Sequence, residues 1–272
     1  MMFIKLITKL LIIFFSSFYI FAEEIQIESS NMNIINDGKT VLANNAKILI
    51  PSENLQIDSN KLVYDKENRI ITFINNVNLD DKSNNIVLKS NLVKYKESTE
   101  IIYSEGKTKI NIENKYNIVS ENVNFDRTLK RIFADSETLI EDNQNNFYIL
   151  KKGFVLDLIS ENLKAKKSII IDNNSNKYIF ENLFINLKKN EIAGKELKVE
   201  FEKSYFGNKN NDPTLKGRSS YLNEDELKVY KAVFSTCNIE NKKCRGWEVN
   251  SDEFKHDKVN QIFEYKNSWL KL

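Results

Sequence analysis

The 272-residue chain has few of the residues on which catalytic and metal sites usually depend. It contains one histidine and two cysteines, and it lacks G-x-S-x-G, H-E-x-x-H and phosphate-loop motifs. A structural zinc site takes four ligands, mostly Cys and His, which this chain can hardly supply. The histidine, His256, lies among charged residues in FKHDK, a setting typical of the protein surface. We therefore expect no enzyme, no metal and no cofactor.

Glycine and proline are also scarce, with 7 and 2 residues, which argues against a glycine-rich β-helix. The charges balance as well, at 40 basic and 38 acidic residues. Because residues 1–22 contain Lys5, Lys9 and no acid, the rest of the chain has 38 of each sign. A neutral chain has no overall field that would attract nucleic acid. We expect no nucleic-acid partner.

The N-terminal segment contains Lys5 and Lys9, and an apolar run follows from Leu10 to Ala22. This run is too short for a typical membrane span of about 20 residues, and it fits the core of a signal peptide. We expect residues 1–22 to be a signal peptide and the remainder to be exported. An uncleaved membrane anchor is the alternative.

Apolar and polar residues alternate along most of the remaining chain, as in AKILI (46–50), KLVYD (61–65) and NVNLD (76–80). Alternation with a period of two predicts strands with one buried face. Clusters such as NDGK (36–39) predict the turns between them. Ile48, Leu79 and Ile110 recur at intervals of 31 residues, which indicates stacked units of about 30 residues. The sequence predicts an all-β protein, with 222–232 the best helix candidate although it suits a strand equally well.

Three segments near the C-terminus carry a family resemblance: DPTLKGRSS (212–220), YKAVFSTC (230–237) and GWEVNSDEFKHDKVNQIFEYKNSWLKL (246–272). They resemble the passage that joins jelly roll to barrel in the LptD family of lipopolysaccharide-assembly proteins. The repeats resemble the OstA-like domain shared by LptA, LptC and LptD. The resemblance implies an elongated, open β jelly roll over 23–205. It further implies that 206–272 is the end of the jelly roll and a linker toward an outer-membrane β-barrel, which is not in this chain.

The implied function is lipopolysaccharide transport in the periplasm, associated with the outer membrane. Lipid A acyl chains would lie in an apolar groove while the sugars stay in water, and the module would pass them toward a barrel. The candidate groove-lining residues are Ile48, Ile57, Leu62, Leu79, Ile110, Ile112, Val123, Phe125 and Ile171.

The resemblance also implies partners. An LptA-like bridge protein would pair with an N-terminal edge strand, whose apolar residues are Ile25, Ile27, Met32 and Ile34. An LptE-like lipoprotein and a β-barrel would complete the assembly. In the family, a cysteine matching Cys237 bridges to the barrel, and Cys244 matches a second cysteine of some members. A disulfide between Cys237 and Cys244 is the alternative when no barrel is present.

Two other functions remain open from the sequence. In the first, a protein with the same fold acts at another point of lipopolysaccharide transport, as an LptA-like bridge or an LptC-like anchored module. The other is a secreted β-solenoid that binds polysaccharide, and binding of lipopolysaccharide but not of soluble glycan would argue against it.

Overall fold

The computed structural model describes residues 25–203, 212–236 and 247–272. Within these ranges the chain forms 21 strands in one antiparallel sheet, so the predicted all-β fold is confirmed. Two short 3-10 turns, Pro51–Glu53 and Glu97–Thr99, follow strand ends. The first ten strands are β1 (Gln26–Glu28), β2 (Asn31–Ile35), β3 (Thr40–Ile50), β4 (Leu55–Asp65), β5 (Ile70–Asp81), β6 (Ile86–Lys96), β7 (Ile101–Glu105), β8 (Lys107–Ile112), β9 (Tyr116–Glu121) and β10 (Asn124–Asp126). The others are β11 (Arg131–Ala134), β12 (Thr138–Asp142), β13 (Phe147–Leu150), β14 (Phe154–Asp157), β15 (Asn162–Ile171), β16 (Lys177–Asn186), β17 (Glu191–Glu200), β18 (Thr214–Leu222), β19 (Glu226–Ser235), β20 (Glu248–Asp257) and β21 (Ile262–Lys271).

The strands follow one another as an antiparallel meander. In the middle of the chain, each pass across the sheet is made by two short strands. For example, β7 and β8 both pair with β6, and β9 and β10 continue the ladder on their other side. Two passes, out and back, account for the 31-residue interval in the sequence.

Each pass bends near its middle, at a place we call the corner. At the corner of β3, Asn44 and Asn45 are both exposed, and Asn45 adopts a positive φ of 45°. Such an irregularity shifts the side-chain alternation by one residue. Val41 and Ala43 are buried before the corner, whereas Ala46, Ile48 and Ile50 are buried after it. Both halves of the strand therefore turn their apolar side chains toward one interior.

Corners with exposed residues and positive φ recur along the sheet. They include Asn76 in β5, Lys167 in β15, Glu196 in β17, Lys231 in β19 and Asn267 in β21. The sheet is thus folded along a line of corners into two facing halves. Its apolar residues form one contiguous core from Ala43 to Phe254. This is the elongated jelly roll expected from the sequence.

The connections between passes lie along the two long sides of the folded sheet. The first rim consists of 36–39, 66–69, 97–100, 127–130, 158–161, 187–190, 223–225 and 258–261. The second rim includes 51–54, 82–85, 113–115, 143–146 and 172–176. Because the sheet is folded, the two rims face each other across an opening that we call the mouth.

The C-terminal segment continues the same sheet. β17 pairs with β18, and the ladder runs on through β19 and β20 to β21. The helix candidate 222–232 belongs mainly to β19, where alternating burial is stronger than any helical pattern. The expected signal peptide and the expected boundary at 205–206 lie outside the described residues.

Candidate functional site

The interior between the two sheet halves contains most of the residues predicted to line a groove. These buried residues are Ile48, Ile57, Leu62, Leu79, Ile110, Ile112, Val123 and Phe125. They come from both sides of the corners, so the interior is continuous across the fold. Whether they contact a lipid remains a prediction.

Ile171 differs from its predicted place. It is half-buried on the outer side of β15, whereas its neighbour Ile170 points into the interior. The reason is the corner at Lys166 and Lys167, where φ of Lys167 is +50°. Simple alternation from Leu163 would place Ile171 inside, but the corner shifts the alternation by one residue. Ile170 therefore replaces Ile171 as a lining residue.

In the C-terminal half the mouth holds a cavity of about 590 Å³. Its apolar floor reaches into the interior and includes Ile170, Ile192, Phe201 and Leu222. Its walls come from both rims and are rich in amides and acids, among them Gln144, Asn173, Asn174, Asn190, Glu224 and Gln261. An apolar floor below a polar rim suits an amphiphile with its chains inside and its head at the surface.

The same local motif occurs at two places on the second rim of this cavity. In DNQNNFY (142–148), Asp142 accepts hydrogen bonds from the Gln144 and Asn146 backbone N–H groups. Its other oxygen accepts from Asn146 Nδ2 and from the Tyr148 hydroxyl, each at 2.9 Å. The buried carboxylate beside it is one reason, after burial itself, that the pKa of Tyr148 is raised.

The same bonds recur in DNNSNKY (172–178). There Asp172 accepts hydrogen bonds from Asn176 Nδ2 at 3.0 Å and from the Tyr178 hydroxyl at 3.1 Å. The Asp, Asn and Tyr spacing was visible in the sequence as a turn signal only. The structure shows that it also fixes two tyrosines at the edge of the interior.

His256 was expected at the surface, and this expectation is wrong. The residue is 4% exposed and lines the cavity, and its ring centroid lies 4.6 Å from that of Phe263. Burial, and then the neighbouring Lys258, lower the pKa of His256. Burial also lowers the pKa of Lys258, whose ammonium donates to the Asn223 carbonyl at 2.6 Å.

In the N-terminal half, buried charged side chains join the two rims. Arg127, on the first rim, donates from Nε to Asp81 Oδ2 at 2.7 Å and from Nη2 to the Glu53 carbonyl at 3.0 Å. Its Nη1 contacts the Glu53 carboxylate. Glu53 lies on the second rim and Asp81 is the strand residue directly before it, so these bonds cross the mouth. We call Arg127, Glu53, Asp81 and Tyr95 the clasp.

Tyr95 completes the clasp from the end of β6 on the first-rim side, where its hydroxyl donates to Glu53 Oε1 at 2.6 Å. The side chains of Arg127, Glu53 and Asp81 are 4%, 6% and 0% exposed, which is rare for charged groups. Desolvation raises the pKa of Asp81, and hydrogen bonds from Asn84 oppose this shift.

Sequence reasoning missed the clasp. Its members are 46 and 74 residues apart, and each lies in an ordinary turn sequence. The one available signal was the scarcity of arginine, since the chain has five arginines among 40 basic residues. Arginine suits a buried site that binds two carboxylates because its guanidinium presents several donors in one plane.

The predicted docking residues lie on an unpaired sheet edge. β1 and β2 each pair with β3, in one continuous register, and the described residues add no strand on their other side. Met32 and Ile34 are 41% and 60% exposed, while Ile25 and Ile27 are half-buried against the core. At the opposite end, β20 is the one strand of the described residues that pairs with β21, and β21 exposes Ile262, Trp269 and Leu270.

Cys237 and Cys244 lie outside the described residues, so their pairing stays a prediction. Among the residues that the structure describes, no cluster of His, Cys, Asp and Glu could hold a metal ion. In the same part of the chain, no helix is both long and apolar enough to span a membrane.

No protein-family model matches the chain, and no curated protein has a significantly similar sequence. Among solved structures, it is similar to LptH of Pseudomonas aeruginosa, described as the LptA-homologous periplasmic component of the lipopolysaccharide transport device. That match has 9% identity and a TM-score of 0.23, and covers 53% of this chain and 82% of LptH. Hsv2 of Kluyveromyces lactis matches with 7% identity and a TM-score of 0.13, over 80% and 95% of the two chains. Neither similarity carries an argument about function.

Proposed function

We propose that the protein is a periplasmic lipopolysaccharide-transport module that holds acyl chains between its two sheet halves. The observation that carries the proposal is the cavity in the mouth. Its apolar floor is part of the continuous core, and amides and acids line its rim. The choice of lipopolysaccharide among amphiphiles rests on the resemblance of 212–272 to the LptD family.

Burial of acyl chains would supply the binding energy. Each buried methylene contributes about 0.8 kcal/mol, so a few partly buried chains suffice without ionic contacts. The proposal needs no covalent step, because a ligand held by apolar contacts can slide along a continuous interior. The protein would then act as a carrier and not as an enzyme.

The two unpaired edges support a role within a chain of modules. We propose that β1 and β2 receive an LptA-like bridge protein by strand addition. We propose that the β21 end, with exposed Trp269 and Leu270, faces the outer-membrane barrel and its LptE-like lipoprotein. A long apolar edge strand left uncovered would otherwise promote aggregation.

Photocrosslinking from the cavity floor tests the proposal. A photoreactive amino acid at Ile170 should capture lipopolysaccharide, because this side chain lines the cavity. The same substitution at Ile169, the adjacent isoleucine on the outer face of β15, is the matched control and should capture much less. Circular dichroism would verify that both variants fold.

Equal capture at Ile169 and Ile170 would mean surface adsorption and would contradict an interior site. Competition by soluble glycan lacking acyl chains would instead favour the polysaccharide-binding alternative, since the amide-rich rim could hold sugars without lipid.

A further inference from the structure

The clasp lies where a bound amphiphile would have to pass. If acyl chains occupy the interior and the sugar head stays in water, the junction between them must run through the mouth. The buried side chain of Arg127 binds Glu53 and Asp81 on the opposite side of the mouth. These ion pairs close the mouth at this point. Beneath this closure the core is filled, with Leu79 and Phe73 fully buried.

The clasp therefore closes the N-terminal half of the mouth, whereas the C-terminal half is open. The C-terminal half has a cavity of about 590 Å³, and a second, smaller one of about 290 Å³ lies between the clasp and this cavity, near Lys130 and Leu158. A ligand can enter the C-terminal half without separating the rims. To reach the interior beside Leu79, it must separate Arg127 from its carboxylates.

The clasp also has the chemistry to be opened by such a ligand. Breaking a buried ion pair is costly when a charge is left without a partner. A head group that carries phosphate offers Arg127 a replacement, because a guanidinium binds phosphate through paired hydrogen bonds. The released Glu53 and Asp81 would then face water in the opened mouth.

We propose that Arg127, Glu53 and Asp81 form a gate that must open before a lipid occupies the N-terminal half of the interior. The inference rests on the proposed function and specifies which half of the interior the ligand occupies while the clasp is closed. Ligand added to the isolated protein occupies the C-terminal half, and movement along the interior requires release of Arg127.

The test uses lipid A with a photoreactive group at the end of one acyl chain, and locates the labelled peptides by mass spectrometry. No interior residue needs to be replaced in the wild-type experiment. A minor open state is commonly about 0.1–10% populated. Labelling within 40–96 should therefore be roughly tenfold or more below labelling within 162–200.

The variant Glu53→Gln/Asp81→Asn/Arg127→Gln removes all three charges together, so that no buried charge is left alone. Its labelling of 40–96 should rise to approach that of 162–200. Arg131→Gln is the matched control, because Arg131 is 46% exposed and pairs with Asp157 of the neighbouring strand, next to the same rim and not across the mouth. It should label like the wild type. Melting temperatures would verify folding of both variants.

Each outcome decides between the two proposals. Equal labelling of both regions in the wild type overturns the gate and leaves the proposed function standing. Unchanged labelling of 40–96 in the folded triple variant also overturns the gate. No labelling of either region overturns the proposed function, and the gate with it.

Discussion

At the scale of single residues, His256 shows how the interior changes the chemistry of a side chain. Its neighbours in sequence are Lys255 and Asp257, which face outward with the alternation of β20. The ring itself packs on Phe263 in the core and lines the cavity. Burial and the nearby Lys258 disfavour the imidazolium and lower the pKa of His256 below its ordinary value of 6.5.

This shift predicts a pH-dependent stability. Between the lowered pKa and 6.5, the unfolded chain binds a proton that the folded protein excludes, so stability is full above pH 6.5 and falls below it. The free energy of unfolding, measured with urea, should decrease from pH 7.5 to 5.5. In His256→Gln the decrease should be smaller, because the chain has no other histidine. An unchanged pH dependence in this variant would contradict the assignment.

At the scale of the element, the corners determine the fold. A straight strand with strict alternation would give a flat sheet with one apolar face. In β3, an exposed pair of residues, one of which has a positive φ, bends the strand and turns the apolar side chains of its second half toward the same interior. Asparagine suits such a position because it tolerates the left-handed conformation better than most residues.

Asn44 and Asn45 provide a matched pair for testing the corner. Asn45 has φ of 45°, while Asn44 is not among the residues with positive φ. Asn45→Val should lower the free energy of unfolding by about 1–2 kcal/mol, because a β-branched residue pays the full cost of the left-handed conformation that asparagine, with its short polar side chain, tolerates. Asn44→Val should change it little, and Asn45→Gly should be tolerated. Chemical denaturation measures all three, and equal effects of the two valines would count against this account.

At the scale of the whole molecule, the sheet formed by the described residues has one unpaired edge at β1 and β2 and another at β21. Strand β2 is exposed along its length, with Ile34 60% exposed. Such edges are usually blunted in soluble proteins, which supports our proposal that they pair with partner modules.

A photoreactive amino acid at Ile34 should crosslink to a purified LptA-like bridge protein. Val259, an apolar residue that is 70% exposed in a first-rim turn, is the control for non-specific capture. We expect crosslinks from Ile34 and few from Val259, because strand addition brings the partner to the sheet edge and not to the turns. Similar yields from both positions would show that the edge is not the docking site.

The sequence by itself determined the strands and the turns. The reason is that these features are local: alternation marks a half-buried strand, and Asp37-Gly38 marks a hairpin turn, without reference to any distant residue. Eight of the nine predicted lining residues are buried for the same reason, since each was read from the alternation of its own short run. The 31-residue interval likewise needed only the sequence, because it repeats one out-and-back pair of passes.

Only the tertiary structure decided which face continues beyond a corner, and which charges meet across the mouth. Ile171 was placed on the wrong face because the irregularity at Lys167 shifts the inward and outward alternation of β15 by one residue. The sequence of charged and apolar residues around Lys167 does not reveal this shift. His256 is buried because β20 turns it to the inner face of the sheet, where Phe263 of the paired strand β21 packs against it. The clasp unites Glu53, Asp81 and Arg127 because folding along the corners brings together turns that are 46 and 74 residues apart. No local pattern encodes such a meeting.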